Sequence, residues 1–430
     1  MDKNLIEIII PEQYRAIQSA DIIINGITIV SGINGCGKST LSKLLYNTYK
    51  YSINYNHLVI YLINDKLQPY YGILNQLQTS MMFRFRQSGR IHRWRQLSSI
   101  ENIDDYFDEL KIFCRNFIER EHDLNREGET MLTERIWRII WTALNNEGDE
   151  NLESNINAMI TQMEDVIRSL MMLIQERPTN ILTDRISMKM QGDIPSNISI
   201  SEYGDAFIGP EAHSVALPHY IQKVVYIDTP MILGIESFNG PDHWDDLNNE
   251  VRSLTADNYG GHINETIQRE ILHGEAVYDS EAIEGTLTFK REDGKIFDLI
   301  DCATGVKAFS IIQLLLKNNA LKKDTLLIID EPEAHLHPQW IVEYARLILM
   351  LHKELGVKFF IASHSTDMVG ALKEMSPTLE VSDLNFYVAE EADDMRYTYN
   401  HLGNDVEPIF ASFNKSFEKL DYYTGNNDEE

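Results

Sequence analysis

The stretch Ile27-Thr28-Ile29-Val30-Ser31-Gly32-Ile33-Asn34-Gly35-Cys36-Gly37-Lys38-Ser39-Thr40 decides how this chain is read. A β-branched apolar run enters Gly-x-x-x-x-Gly-Lys-Ser, and Leu41, Leu44 and Leu45 follow at helical spacing. Strand, loop and helix in that order are the context the P-loop motif requires. Its glycines let backbone N–H groups curl toward phosphate oxygens at the positive end of the following helix. The motif assigns nucleoside triphosphate contacts to Asn34, Gly35, Cys36, Gly37, Lys38, Ser39 and Thr40. Lys38 is expected on the β- and γ-phosphates, and the Ser39 hydroxyl on Mg²⁺. The bland alternative is a glycine-rich turn that matches by accident.

The 430 residues exceed a typical single domain, so two lobes are expected. A composition of 43% hydrophobic and 24% charged residues suits a soluble globular protein. The net charge of −28 argues against coating DNA by bulk electrostatics, while leaving room for a local basic patch. Cys36, Cys114 and Cys302 are too far apart in sequence for a disulfide framework or a metal knuckle. Neither a signal-peptide pattern nor an apolar run of membrane-spanning length is seen, so the expected location is cytoplasmic, with no membrane partner.

Strands are predicted at Leu5–Ile10 and Asp21–Ile24, with a hairpin signal at Asn25-Gly26 and a further strand at Leu58–Leu62. The divisions predicted are residues 1–66 as the first part of a nucleotide-binding head, 67–190 as a helical insert, 191–420 as the rest of the head, and 421–430 as an acidic tail. The clearest helix runs from Leu152 to Ile174 and stops at Pro178. The helical stretches on either side of Asn145–Asn151 are candidates for an antiparallel pair. Arg84, Arg86, Arg90, Arg93 and Arg95, interleaved with Phe83, Phe85 and Trp94, interrupt the acidic background as candidate nucleic-acid contacts. The alternative is a helix that pairs with the acidic Glu101–Glu109 segment or with a partner protein. Further on, Lys223–Asp228 reads as a strand, Asp242–Asn249 as loop or helix start, and Asp293-Gly294 as a hairpin turn.

Leu326-Leu327-Ile328-Ile329-Asp330-Glu331 is a buried-strand pattern that ends in two carboxylates. Asp330 is placed to hold Mg²⁺ through water, and Glu331 to orient or deprotonate an attacking water. Lys358–Ser363 is another apolar strand, followed by His364, a candidate for the γ-phosphate or the lytic water.

Together these motifs resemble the ABC-type ATPases that include the SMC, RecF, OLD-like and PtuA-like proteins. Asp330-Glu-Pro-Glu-Ala-His-Leu-His-Pro338 with Ser363-His364-Ser365 is similar to the OLD-like branch. The resemblance implies an α/β head, a mixed sheet flanked by helices, with a helical insertion lobe. It also implies ATP and Mg²⁺ as cofactors and two heads that sandwich two nucleotides. A signature loop of one head then touches the γ-phosphate held by the other. The matching residues are Ala303, Thr304, Gly305 and Lys307, with Ala303 standing where the family usually has serine. Asp228 falls where the family places its Mg²⁺-sensing loop. The insert has no Cys-x-x-Cys zinc hook, and the stretch after His364 shows no Toprim nuclease arrangement. The chain therefore looks like an anti-phage ATPase subunit of the PtuA or PARIS kind. It would form a homodimer or higher homo-oligomer beside a separate effector such as an HNH nuclease or toxin, with slow ATP hydrolysis. The alternatives are a RecF-like repair ATPase that binds DNA directly, and a scaffold that nucleotide merely locks. A transporter subunit fits least.

Overall fold

Alternating and continuous apolar runs form the strands, and three-to-four spacing forms the helices. In chain order they are β1 (Ile6–Ile10), β2 (Ile17–Ile24), β3 (Ile27–Ser31), α1 (Lys38–Ile53), α2 (Tyr55–Arg84), α3 (Ile103–Arg126), α4 (Glu134–Ala143), α5 (Leu152–Glu176) and α6 (Thr179–Met190). They continue as β4 (Ser199–Glu202), β5 (Asp205–Ile208), β6 (Lys223–Ile227), α7 (Asp242–Val251), α8 (Gly261–Thr266), β7 (Gly274–Asp279), β8 (Thr286–Arg291) and β9 (Ile296–Asp298). The last are α9 (Thr304–Lys317), β10 (Thr325–Asp330), α10 (Pro338–Leu355), β11 (Lys358–Ser363), α11 (Thr366–Met375), β12 (Leu384–Glu391) and β13 (Tyr397–Gly403). The computed structural model describes residues 5–84, 93–99, 101–144, 151–233, 241–253, 261–279, 285–334, 336–392, 395–412 and 423. Arg86, Arg90, His335 and residues 424–430 lie outside them.

The chain divides into two compact units, 1–53 with 179–430, and 54–178. In the first, ten strands form one sheet in the order β5-β4-β1-β2-β13-β12-β3-β11-β10-β6. From β12 to β6 all neighbours are parallel, with Ser31 opposite Ser363 and Asp330 opposite Ala362. Every residue of β3 and β10 is buried, which explains their unbroken apolar pattern: helices cover both faces of a parallel sheet. One face packs Ile29, Leu327, Ile329 and Phe359 into a core with Phe309, Leu315, Tyr344 and Leu351. At the other end β1, β2, β4 and β5 form an antiparallel arm.

Asn25-Gly26 does not make a hairpin, because β12 and β13 lie between β2 and β3 in the sheet. The dipeptide crosses a gap instead: Asn25 Oδ1 accepts from Leu5 N at 2.8 Å, and a Cβ on Gly26 would come within 2.4 Å of the Asp383 carbonyl. The hairpin at Asp293-Gly294 does form, with Gly294 at φ +82° between β8 and β9. The acidic stretch from Asp242 is helix α7.

The second unit is helical. Leu58–Leu62, expected as a strand, lies inside α2, which continues through Pro69. A five-residue apolar run suits a buried strand and a buried helix turn equally, and here the flanking helical spacing wins. The helical unit therefore starts at residue 54 rather than 67, and it ends at 178 because α6 packs on α1 in the first unit. Both α4 and α5 pack on α2. Asn151 caps α5, accepting from Glu153 N and Ser154 N, and Arg177 ends it in the left-handed region before Pro178.

One polar staple joins α10 to the strand edge. His352 Nε2 lies 2.9 Å from Asp383 Oδ1, its Nδ1 lies 2.7 Å from Val357 O, and Asp383 O accepts from Ile27 N. The His352 hydrogen bond, more than its charge, holds the Asp383 carboxyl below its usual range. A depressed carboxylate stabilises the fold above its unfolded value of about 3.9, and that contribution is lost as pH falls through the lower folded value. Asp383→Asn is expected to lower stability by at most ~1 kcal/mol at neutral pH, a small figure because the Asp383 carboxyl is half exposed. Denaturation of both proteins across pH checks this: the gap should close below about pH 4.

Candidate functional site

The turn from β3 into α1 is built on Gly35 (φ +87°) and Gly37 (φ +101°), conformations that side chains resist. A Cβ on Gly37 would also lie 2.7 Å from Ile17 Cγ1. Lys38 is buried and its Nζ donates to the carbonyls of Gly32 (2.8 Å) and Ile33 (3.0 Å), so the ammonium sits inside the loop. Asn34, Gly35 and Ser39 are exposed around it, and Thr40 is half-buried. Cys36 is buried; Tyr399 of β13 donates its hydroxyl to the Cys36 carbonyl at 3.2 Å. The thiol therefore packs beneath the loop, and the loop is braced by β13.

Asp330, at the end of β10, is buried. Its Oδ1 accepts from Ser42 of α1, and its Oδ2 from Tyr226 of β6 at 2.8 Å. Burial pushes this carboxyl above its usual range, while hydroxyls of Ser42, Tyr226 and Ser39 pull it partly back; the Asp228 charge pushes it up again. Asp228, just past β6, is gripped through both oxygens, by His243 Nε2 at 2.7 Å and Trp244 Nε1 at 2.8 Å. Ser39, Asp330 and Asp228 are hard oxygen donors of the kind Mg²⁺ takes. Among the described residues no cluster of three His, Cys, Asp or Glu side chains that could hold a metal forms.

Glu331 follows at φ +49°, a left-handed conformation uncommon outside glycine and asparagine. Its N–H donates to Ala362 O at 2.7 Å, which ties the turn to β11, and its carboxylate is open to solvent. His364 Nδ1 stands 3.6 Å from Glu331 Oε1 and 3.2 Å from Glu333 Oε1. Lys38, His364, Asp330 with Glu331, and Asp228 therefore follow the C-terminal ends of four adjacent parallel strands, β3, β11, β10 and β6. Ligands of open α/β sheets bind at that edge.

The expected signature residues open α9. Ala303 is its N-cap and makes no side-chain cap, and the Thr304 hydroxyl lies 3.8 Å from Met231 Sδ. Gly305 has a packing reason to be glycine: its Cβ would fall 2.6 Å from the Trp340 ring. Lys307 is buried, with Nζ donating to Ile300 O at 2.5 Å, so its ammonium is turned inward. In the helical unit, Arg84 pairs with Glu129, while Arg93 and Arg95 are exposed. Trp94 is buried and stacked on Tyr71 at 5.1 Å, so it is core and has no face free for a base.

Ser42, Tyr226, His243, Trp244 and Glu333 complete the site and escape sequence reasoning, because each acts through a partner distant in the chain. Only the position of Ser42, one helical turn after Lys38 on the Asp330 side, was a usable signal.

A family model described as "AAA domain, putative AbiEii toxin, Type IV TA system" matches residues 192–368, which include Asp228, Asp330, Glu331 and His364. No curated protein matches. Among solved structures, an SMC head domain from Thermotoga maritima is 14% identical at a TM-score of 0.26; the match covers 37% of this chain and 51% of that one, about half its length. An Smc head with an extended coiled coil from Pyrococcus furiosus, bound to the C-terminal domain of ScpA, is 10% identical at a TM-score of 0.35 over 97% and 98% of the two chains. An Smc head with coiled coil and joint from Pyrococcus yayanosii is 13% identical at a TM-score of 0.29, over 88% and 61%. The first unit is thus an α/β fold, a mixed sheet flanked by helices, with the P-loop strand β3 and the carboxylate strand β10 on either side of β11.

Two outcomes follow from the geometry. A raised carboxyl costs stability wherever it is ionised, so Asp330→Asn should raise the melting temperature at neutral pH by about 2–4 °C, roughly 1 kcal/mol. The gain should vanish as pH falls below the ordinary carboxylate value. Gly305→Ala should destabilise by about 1–3 kcal/mol through overpacking, and Trp340→Leu in the same chain should recover part of that in thermal melts.

Proposed function

We propose that this chain is an ABC-type ATPase that dimerises on ATP and gates a separate effector, a nuclease or toxin, in prokaryotic anti-phage defence. The observation that carries the ATPase reading is the convergence of Lys38, Asp330, Glu331 and His364 at one edge of four parallel strands. Lys38 would leave its loop carbonyls for the β- and γ-phosphates, with Ser39 and the loop N–H groups beside it. Ser39 and Asp330, with Asp228 behind them, would hold Mg²⁺, which supplies charge neutralisation on the phosphates when bound. Glu331, exposed and free of hydrogen-bonded donors among the described residues, would orient the attacking water and take its proton. His364 would contact the γ-phosphate.

Dimerisation is supported by exposed apolar side chains beside the P-loop and the start of α9: Ile33, Met231 and Ile300 are each about half exposed, at 47%, 49% and 48%. The uncapped N–H groups of α9 suit an anion held by a second copy, through backbone rather than a serine hydroxyl. Of the residues after His364, those described build α11, β12 and β13, and the two strands complete the same sheet. Among the described residues, a direct DNA-binding reading rests on Arg93 and Arg95, which are exposed, and on Arg84, which pairs with Glu129.

Glu331→Gln tests the mechanism. Turnover should fall about 10²- to 10⁴-fold, the contribution of a general base, while ATP binding persists. An ATP-bound dimer should accumulate in light scattering. Turnover that is robust in Glu331→Gln would sink the reading. Stoichiometric co-purification of a nuclease or toxin from the native locus tests the effector half.

A further inference from the structure

Glu333 has no role in the mechanism above. It lies in the turn after β10, two residues past Glu331, and its side chain is turned inward and only 5% exposed. Oε1 accepts from Ser363 Oγ at 2.9 Å and from His364 N at 2.7 Å. Ser363 Oγ in turn accepts from Ser365 N at 3.1 Å, so one carboxylate oxygen organises the whole passage from β11 into α11. The other oxygen, Oε2, is buried with no hydrogen-bond partner among the described residues. A buried carboxylate left half satisfied is unfavourable, and a turn that needed only these backbone contacts could be closed by a neutral acceptor. The group that answers its charge is the His364 ring, with Nδ1 at 3.2 Å. That nitrogen is itself buried and its approach lacks hydrogen-bond geometry, so a small ring rotation separates the pair from a closed bond.

Glu331 competes for the same nitrogen from 3.6 Å. Two carboxylates thus face one N–H, and only one of them can take it at full strength. We propose that Glu333 is a positioning residue: it holds the Nδ1–H of His364, which leaves Nε2 to face the nucleotide and keeps the Glu331 carboxylate free for the attacking water. Fixing one ring nitrogen decides what the other presents. The inference rests on the ATPase reading for its consequence, though the His364–Glu333 pairing stands on geometry alone.

Glu333→Gln is the informative variant, because the amide carbonyl can still accept from Ser363 Oγ and His364 N while the charge is gone. A charge-assisted bond is about twice as strong as a neutral one, so the ring N–H should then turn to Glu331. Turnover should fall roughly 10- to 100-fold, the range expected when the carboxylate behind a functional histidine is removed, with ATP affinity and melting temperature close to wild type. In a His364→Asn background the same substitution should have little further effect. Nitrogen-15 NMR of the full chain, labelled at histidine and assigned with His364→Asn, reads the ring without turnover. Nδ1 should carry the proton in wild type, and its shift should move in Glu333→Gln. An unmoved His364 signal, or a loss of turnover as large in His364→Asn as in wild type, would overturn the proposal. If the signal moves while Glu331→Gln leaves turnover intact, the pairing stands and the ATPase mechanism falls.

Discussion

The buried charge of Asp330 is the constraint on which the nucleotide edge depends. A carboxylate taken out of water is unfavourable by several kcal/mol unless donors surround it. Here the donors come from two other elements, Ser42 on α1 and Tyr226 on β6, so satisfying one side chain fixes a helix and two strands relative to each other. The Tyr226 ring packs on His243, their centroids 4.4 Å apart, and His243 holds Asp228. From Asp330 outward, the site is therefore a relay of polar contacts laid over an apolar sheet. On the opposite flank Tyr399 braces the loop through the Cys36 carbonyl, so α1 is gripped from both sides.

Three carboxylates within four residues meet three different environments. Asp330 ends a strand and is buried under hydroxyls; Glu331 sits on a left-handed backbone and faces solvent; Glu333 is folded under the turn onto the Ser363 hydroxyl and the His364 N–H. Their side chains differ little, and the path of the backbone gives each its role.

What could be read from the residues was what is local. The P-loop and the Asp330-Glu331 pair carry strand, loop and helix context within a dozen positions, and the structure places them at the same edge of the sheet, on β3 and β10, with β11 between. Non-local pairing was not legible: Asn25-Gly26 resembles a hairpin turn, but strands more than 350 residues away slide between its flanks. Leu58–Leu62 has the apolar content of a strand, and only its helical surroundings decide otherwise. Gly305 was read for an anion and is explained at least as well by the Trp340 ring against it. Lys307 was read for its charge, and the helix it sits on turns its ammonium toward Ile300 O, a contact the residues around it did not announce. Glu333 stood in plain sight in the motif, yet its partner is thirty residues on and is met only through the sheet.

The left-handed backbone at Glu331 narrows what evolution can do there. The residues most at ease at φ +49° are glycine, asparagine and aspartate, and of these only aspartate brings a carboxylate, on a shorter stem. Most replacements that relax the turn therefore delete the carboxylate or draw it back, and a strained residue of this kind costs on the order of 1–3 kcal/mol to keep. Folding stability alone would favour glycine or asparagine here, so a glutamate at this position exchanges folding free energy for a carboxylate at full reach.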